Sequence, residues 1–540
     1  MSTSWEQLID NFLKERWEQS PVLATAEGIH NYDHQLDSLN PEAIEERLQT
    51  VRRQILALEK ARPVDPDEQI DREAVLGECR SEQLELERIQ PWRSDPSVAI
   101  NIGLQAIYLL RVRSFAPMEE RAESILSRLE QFPRLLQEGQ AALDRPVPVF
   151  LKVAEEVLQG AKHFLDDTAE ELGRQLPHLQ KIFRTTTDRV VSVLNQYDHF
   201  LKAGVQPASK DRFAIGVEAF QGLLQHRHHL SLTPEELVQI GEETAKGVEG
   251  ELARLAKAIE PRSTWKKIIA KFKQEHPSSK ELVEVYRKEM ERARDFCRDR
   301  NLISFPKVES LQIVPTPEFE RPTSPYAALM SPAPFEKDQT SYFYVTPVED
   351  SMSPEEQEER LQGHSFTGLP VTALHEAYPG HHLQLTVANQ LPSRVRRVIG
   401  TSVLWEGWAL YCEEMMYEEG FYADPRVRLY QLKDLLWRAC RVMIDVGLHT
   451  QGWSVERAVQ LLVDRAALEP ANARCEVWRY CGTPTQPMSY LIGRREILAL
   501  REEVRKKEGK DFSLKRFHDR LLSFGSFSPA LTRKYWNKLC

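Results

Sequence analysis

The sequence has no apolar run approaching the roughly 20 residues that cross a bilayer. Its opening, Met1-Ser2-Thr3-Ser4-Trp5-Glu6-Gln7, carries neither the basic segment nor the apolar core of a secretory signal. It contains no Gly-x-Gly-x-x-Gly, no phosphate loop and no Gly-x-Ser-x-Gly elbow, so nucleotide chemistry and serine hydrolysis have no support. An excess of positive charge is also missing. Lys and Arg number 71 against 81 Asp and Glu, and the net charge of −10 argues against general affinity for nucleic acid or an anionic membrane. The seven cysteines are odd in number and scattered, at Cys79, Cys297, Cys412, Cys440, Cys475, Cys481 and Cys540. That pattern excludes a disulfide framework and a zinc ribbon, and it reads as reduced thiols in a cytoplasmic protein.

What is present is an ordinary globular composition with one dense exception. Of 540 residues, 41% are hydrophobic and 28% charged, enough for one large helical body or two lobes closing on a cleft. The exception is His375-Glu376-Ala377-Tyr378-Pro379-Gly380-His381-His382, three imidazoles and a carboxylate in eight residues. Downstream lies Trp405-Glu406-Gly407-Trp408-Ala409, where Glu406 opens a strongly helical run. Two histidines and a carboxylate that hold a metal with one position open, beside a glutamate able to take a proton from water, are the parts of a zinc hydrolase.

The spacing is not that of His-Glu-x-x-His, whose histidines sit one helical turn apart. On an unbroken helix His375 and His381 would be about 240° and about 9 Å apart, and His382 would be about 10.5 Å from His375. Neither pair could then share a metal with Zn–N bonds of about 2.0–2.1 Å. Pro379-Gly380 supplies the break, because proline removes a backbone donor and glycine adopts dihedrals closed to other residues. A two-residue bulge would bring His381 to about the place of the i+4 histidine. His375, His381 and Glu406 are therefore the expected ligands of one Zn²⁺ per chain, with His382 as an alternate ligand or a supporting group behind them. Glu376 is the expected general base. Glu413, two turns beyond Glu406, could orient a ligand histidine.

Helical periodicity runs through nearly the whole chain. Asn40-Pro41, Thr233-Pro234 and Ser353-Pro354 mark helix starts, the last two with Glu at N3 as in a capping box. Val308–Pro315 and Ser341–Pro347 are rich in β-branched or aromatic residues and end at proline, so they read as short strands. Pro317–Pro334, with five prolines, reads as a loop over the site. His226-Arg227-His228-His229 has no acidic partner pattern and reads as a polar helix end. Arg441, Asp445 and His449 recur every four residues and would share a helix face. Arg441 or His449 could meet an oxyanion or a substrate carboxylate, and Tyr490 is the candidate phenolic donor.

These motifs resemble those of a bacterial family catalogued as a domain of unknown function and grouped with the gluzincin metallopeptidases. That group is distantly similar to thimet-type oligopeptidases and to the thermostable carboxypeptidase of Thermus. The carrying residues are His375-Glu376-x-x-Pro379-Gly380-His381-His382 and Trp405-Glu406-Gly407-Trp408-Ala409, with Arg441-x-x-x-Asp445-x-Gly447-x-His449 and Pro487-x-Ser489-Tyr490-x-Ile492-Gly493. Ala24-Thr25-x-x-Gly28-Ile29-His30-x-Tyr32-Asp33 and Leu232-Thr233-Pro234-Glu235-Glu236-Leu237 extend the likeness over nearly the whole chain. The resemblance implies a mainly α, two-lobed metallopeptidase-like fold with a small sheet whose edge strand, expected at Ser341–Thr346, lines the cleft. It also implies Tyr and His donors from the C-terminal lobe. The expected division is a helical lobe over 1–300 and a catalytic lobe over 301–540. The expected activity is zinc-dependent cleavage of short peptides, against two rivals: a zinc hydrolase of a non-peptide amide or ester, and a non-catalytic metal-binding scaffold.

Overall fold

Proline and a preceding polar cap start many of the helices. Asn40, Thr233 and Ser353 each accept a backbone N–H within the first turn, and Thr233 and Ser353 complete capping boxes with Glu236 and Glu356. The computed structural model describes residues 4–205, 212–316, 327–348 and 352–538. Helix makes up 72% of the chain and a single three-stranded sheet accompanies it among the described residues, so the fold is mainly α. No helix among them is long and apolar enough to cross a membrane.

Two compact units emerge, one comprising Met1–Gly222 with Ala333–Asp338, the other Leu223–Pro332 with Gln339–Cys540. The division therefore falls near residue 222 and not at the expected 300. The intervening helices belong with the second unit for a packing reason. Helix α1 (Pro234–Ile259) lies along α6 (Pro425–Thr450), and α2 (Leu282–Asp299) packs on α3 (Leu369–Glu376).

In the first unit the Thr25–Asp33 motif serves a buried arginine. Arg128, with no exposed surface, donates to the Thr25 hydroxyl at 2.6 Å and to the carbonyls of Ala106 and Gln35. Thr25 donates in turn to Asp33 at 2.6 Å, and His30 bonds the other Asp33 oxygen while stacking on Phe115. Gly28 has a left-handed φ of 85°, and a Cβ there would lie 2.8 Å from the Glu336 nitrogen. The motif thus holds the Ala333–Asp338 segment of its own unit and carries no metal-ligand pattern.

The second unit contains the sheet, with strands β1 (Ser310–Pro315), β2 (Ala327–Met330) and β3 (Thr340–Val345) in the order β1-β3-β2. β1 is parallel to β3 and β2 antiparallel to it. The expected edge strand at Ser341–Thr346 is therefore corrected: β3 is central, with a partner on each side. Among the described residues the outer strand that lines the cleft is β2, inside the segment read as a loop. The part of that loop at 317–326 lies outside the described residues.

Four further helices frame the site: α4 (His381–Asn389), α5 (Ser402–Glu418), α7 (Pro470–Gly482) and α8 (Ser489–Glu508). Helices α5 and α8 cross at two glycines. A Cβ on Gly493 would lie 1.9 Å from the Val403 carbonyl oxygen, and one on Gly407 would lie 2.4 Å from Gly493 Cα. Both clashes are with backbone, so no side-chain adjustment relieves them. Gly493→Ala is expected to destabilise the fold by about 2–4 kcal/mol. Chemical denaturation checks this, and an unchanged midpoint would show that the crossing can open without cost.

Candidate metal centre

The site is built on a broken helix. Helix α3 ends at Glu376 and α4 begins at His381, with Ala377–Gly380 between them out of helical conformation and the Tyr378–Pro379 peptide cis. The break is larger than the two-residue bulge expected. Gly380 N–H reaches back to the Leu374 carbonyl at 3.1 Å, and a Cβ on Gly380 would lie only 1.8 Å from the His375 carbonyl oxygen. Only glycine permits that approach. From α5, Trp408 Nε1 donates to the Pro379 carbonyl at 2.8 Å and fixes the turn from behind. Trp408 was not singled out by sequence reasoning, although its place in the Trp405–Ala409 motif was the available signal.

The turn brings His375, His381 and Glu406 together, with one ligand atom from each within 4.8 Å of the others. His375 Nδ1 is hydrogen-bonded to Glu413 Oε1 at 2.7 Å, which leaves Nε2 as the ring atom available to a metal. His381 Nε2 lies 3.4 Å from Glu406 Oε2, and the two imidazoles meet edge to face at 4.9 Å between centroids. The set of two imidazoles and a carboxylate fits a single Zn²⁺, which prefers such N and O donors.

The electrostatics of the donor set differ from one residue to the next. Burial, reinforced by the neighbouring His381, pushes His375 down to about 4, so it is neutral as a ligand must be. Burial opposes charge on His381, but the hydrogen bond and charge of Glu406 outweigh it and raise that imidazole above its ordinary value. Glu406, against the same burial, is held low by His381 and His375. Burial raises Glu413 to about 8.

His382 does not join the cluster. It is fully buried, with Nδ1 2.7 Å from the Ser341 hydroxyl on β3 and Nε2 2.9 Å from Glu309, which also accepts from the Tyr378 hydroxyl at 2.5 Å. Its place is behind the turn, tying α4 to the sheet, because the first residues of a helix point to successive faces.

A cleft of about 400 Å³ opens on the cluster, lined by Glu376, Glu406, Arg438, Arg441 and Tyr490 among others, with β2 contributing Ala327, Ala328 and Leu329. The Tyr490 phenol lies beside the Glu406 carboxylate, and burial together with that carboxylate raises its pKa. His449, expected as an oxyanion donor, is not at the cleft. It is fully buried and its Nε2 donates to the Tyr480 carbonyl at 3.0 Å. Within the Arg441–His449 stripe the contact is between His449 Nε2 and Asp445 Oδ1 at 3.9 Å, and the other bonds of the stripe lead to neighbouring segments. Asp445 accepts the backbone N–H groups of Thr485 and Met488, and Arg441 reaches Tyr480 and Glu476 on α7. Helix α6 is buried on all sides over Ala439–His449, so each polar group on it must find a partner in whichever neighbour it faces.

His228, from the histidine-rich segment, is a crosslink. Its ring nitrogens bond the hydroxyls of Thr401 at 2.5 Å and Thr485 at 2.9 Å, and burial keeps it neutral. Thr401 caps α5, and Thr485 belongs to the turn that leads into α8, so His228 holds the entrances of the two helices that carry Glu406 and Tyr490.

Metal content separates these roles. His375→Ala, His381→Ala and Glu406→Gln are expected to lose stoichiometric zinc, and His382→Gln to retain it. Glu413→Ala should weaken zinc by about 10–100-fold, as removal of a ligand's supporting carboxylate does. Elemental analysis and competition with a chelator check this. Zinc retained in His381→Ala but lost in His382→Gln would reverse the assignment.

Comparison with known proteins gives a consistent result. The chain is similar over 99% of its length to all of a protein described as a "putative lipoprotein of unknown function" from Shewanella oneidensis, at 27% identity and a TM-score of 0.81. It shares its fold with a "putative lipoprotein" from Colwellia psychrerythraea, at 21% identity and a TM-score of 0.85 over 100% of this chain and 99% of that one. No curated protein sequence matches it. The family described as bacterial proteins of unknown function (DUF885) matches residues 21–534, nearly the whole chain, and the protein belongs to that family.

Proposed function

We propose that the protein is a zinc-dependent hydrolase of peptide amide bonds, acting on short peptides that enter the cleft in extended form. The observation that carries this reading is the convergence of His375, His381 and Glu406 within 4.8 Å, in a cleft that also holds Glu376. A Zn²⁺ bound by these three residues would supply Lewis acidity and lower the pKa of a water molecule towards about 7.

The chain's own residues do the rest. Glu376, last residue of α3 and next to His375, takes the proton from the attacking water and returns it to the leaving amine. Tyr490, half-buried beside Glu406, donates its phenolic hydrogen to the oxyanion that develops on the attacked carbonyl. Glu413 holds His375 in the tautomer that leaves Nε2 free. The cleft-side edge of β2 offers main-chain donors and acceptors to an extended peptide, and the small side chains of Ala327 and Ala328 leave it room. Two histidines, a distant glutamate and an adjacent glutamate base form the arrangement that the gluzincin resemblance implies. The lipoprotein description of the two similar structures favours the cell envelope over the cytoplasm expected from the cysteine pattern, and fractionation of the native bacterium separates the two.

The decisive test compares wild type with Glu376→Gln on a mixed peptide library. Glu376→Gln is expected to keep its zinc and to lose about 10²–10⁴-fold in kcat/KM. Zinc binding with no peptide cleaved by wild type would overturn the peptidase reading and direct the search to non-peptide amides and esters.

A further inference from the structure

Two guanidinium groups at the cleft each keep one buried nitrogen without a hydrogen-bond partner. Arg438 and Arg441 lie three residues apart on α6 and both line the cleft beside the candidate ligands. Arg441 is 4% exposed. Its Nε donates to the Tyr480 hydroxyl at 2.7 Å and one terminal nitrogen to Glu476 at 3.0 Å, while the other, Nη1, is buried with no hydrogen-bond partner. Its guanidinium carbon lies 4.2 Å from the centre of the Trp437 ring and 4.7 Å from that of Tyr490, so the group is packed against both rings.

Arg438 is still less satisfied. Its one hydrogen bond to protein is long, 3.4 Å to the Asp434 carbonyl, and its Nε is buried without a partner. The Asp434 carboxylate is 3.6 Å away but is held by Lys433 at 2.6 Å. Among the described residues neither arginine forms an ion pair with Glu376 or Glu406, and Asp434, shared with Lys433, is the cleft acid within reach of Arg438. A buried guanidinium nitrogen left without an acceptor is costly, and its planar fork matches a carboxylate better than any other common biological anion except phosphate.

We propose that Arg438 and Arg441 form an anion subsite within the cleft that receives a carboxylate of the substrate. This rests on the hydrolase reading and extends it. The preferred substrates carry a negative charge close to the bond that is cut, either the free α-carboxylate at a peptide's C-terminus or an acidic side chain near it. The charge also explains why two cations stand in a cleft that already concentrates acids. They fix the end of the substrate, and the metal ligands and Glu376 act on its amide.

The test uses the full-length, zinc-loaded protein and three peptides: acetyl-Ala-Ala-Phe with a free carboxylate, the same peptide as its C-terminal amide, and acetyl-Ala-Glu-Phe amide. The free acid is expected to be cleaved with kcat/KM about 10–100-fold above its amide, the loss that follows when a charged hydrogen-bonding partner is removed. In Arg438→Met, and in Arg441→Met where it folds, zinc is retained and the acid-to-amide ratio falls close to one. Recovery of cleavage in the Glu-containing amide identifies a side-chain carboxylate as the charge read, and its failure to recover identifies the α-carboxylate. Equal cleavage of all three peptides by wild type, or a preference that persists in Arg438→Met, would overturn the subsite. If wild type cleaves none of them, the hydrolase reading falls separately. The same peptides are then titrated calorimetrically: tighter binding of the acid, lost in Arg438→Met, keeps the subsite, and equal or absent binding removes it.

Discussion

The approach of Gly380 to the carbonyl of His375 is the contact on which the site depends. The chain folds back so tightly after α3 that a single methyl group at Gly380 would occupy the position of a backbone oxygen. That turn cancels the helical rotation separating His375 from His381 and lets two histidines six residues apart reach one point. It is supported from α5 through Trp408 and from the sheet through His382, Ser341 and Glu309. The residues around the candidate metal ligands thus divide cleanly. His381 faces the cleft, and the next residue, His382, faces the structure that holds the cleft in place.

The same helix α5 joins the turn to the rest of the cleft. It contributes Glu406 and Glu413 on one face, Trp408 against the turn, and Gly407 to the crossing with α8. Close packing at Gly407 and Gly493 brings the start of α8, and so Tyr490, against Glu406. Asp445 and His228 fix the turn before α8, one through backbone N–H groups and the other through Thr485. Because α6 is buried all round where it carries Arg441, Asp445 and His449, its polar side chains serve as connectors between helices. One nitrogen each of Arg438 and Arg441 is the exception, and these are the groups the proposed substrate carboxylate would meet.

Of the conspicuous motifs, those around His375, Glu406 and Tyr490 meet at one cleft, whereas the Thr25–Asp33 motif lies in the other unit around Arg128. Its small, hydroxyl and acidic residues satisfy a buried guanidinium and a left-handed glycine turn. A distinctive sequence motif in this chain therefore marks either chemistry or a buried polar constraint, and residue type alone does not separate the two.

The helical class, the capped helix starts and the grouping of His375, His381 and Glu406 were legible in the chain because they rest on local rules: periodicity, capping chemistry, and donor types gathered in a short cluster. The break at Pro379-Gly380 could be read as well, since histidines six apart cannot share a metal on a straight helix. Other features depended on contacts between distant segments. The choice of His381 over His382 followed from which face of α4 meets the sheet. His449 looked equivalent to Arg441 by spacing, yet its partner is the Tyr480 carbonyl, because α7 covers that end of α6. The cleft-side strand was hidden in a proline-rich stretch, and strand order, a property of pairing, placed Ala327–Met330 at the edge and Thr340–Val345 in the centre. The sequence by itself determined which groups were available and where the helix had to break. Only the tertiary structure decided which of them share a cavity, because burial and close packing are settled by residues hundreds of positions apart.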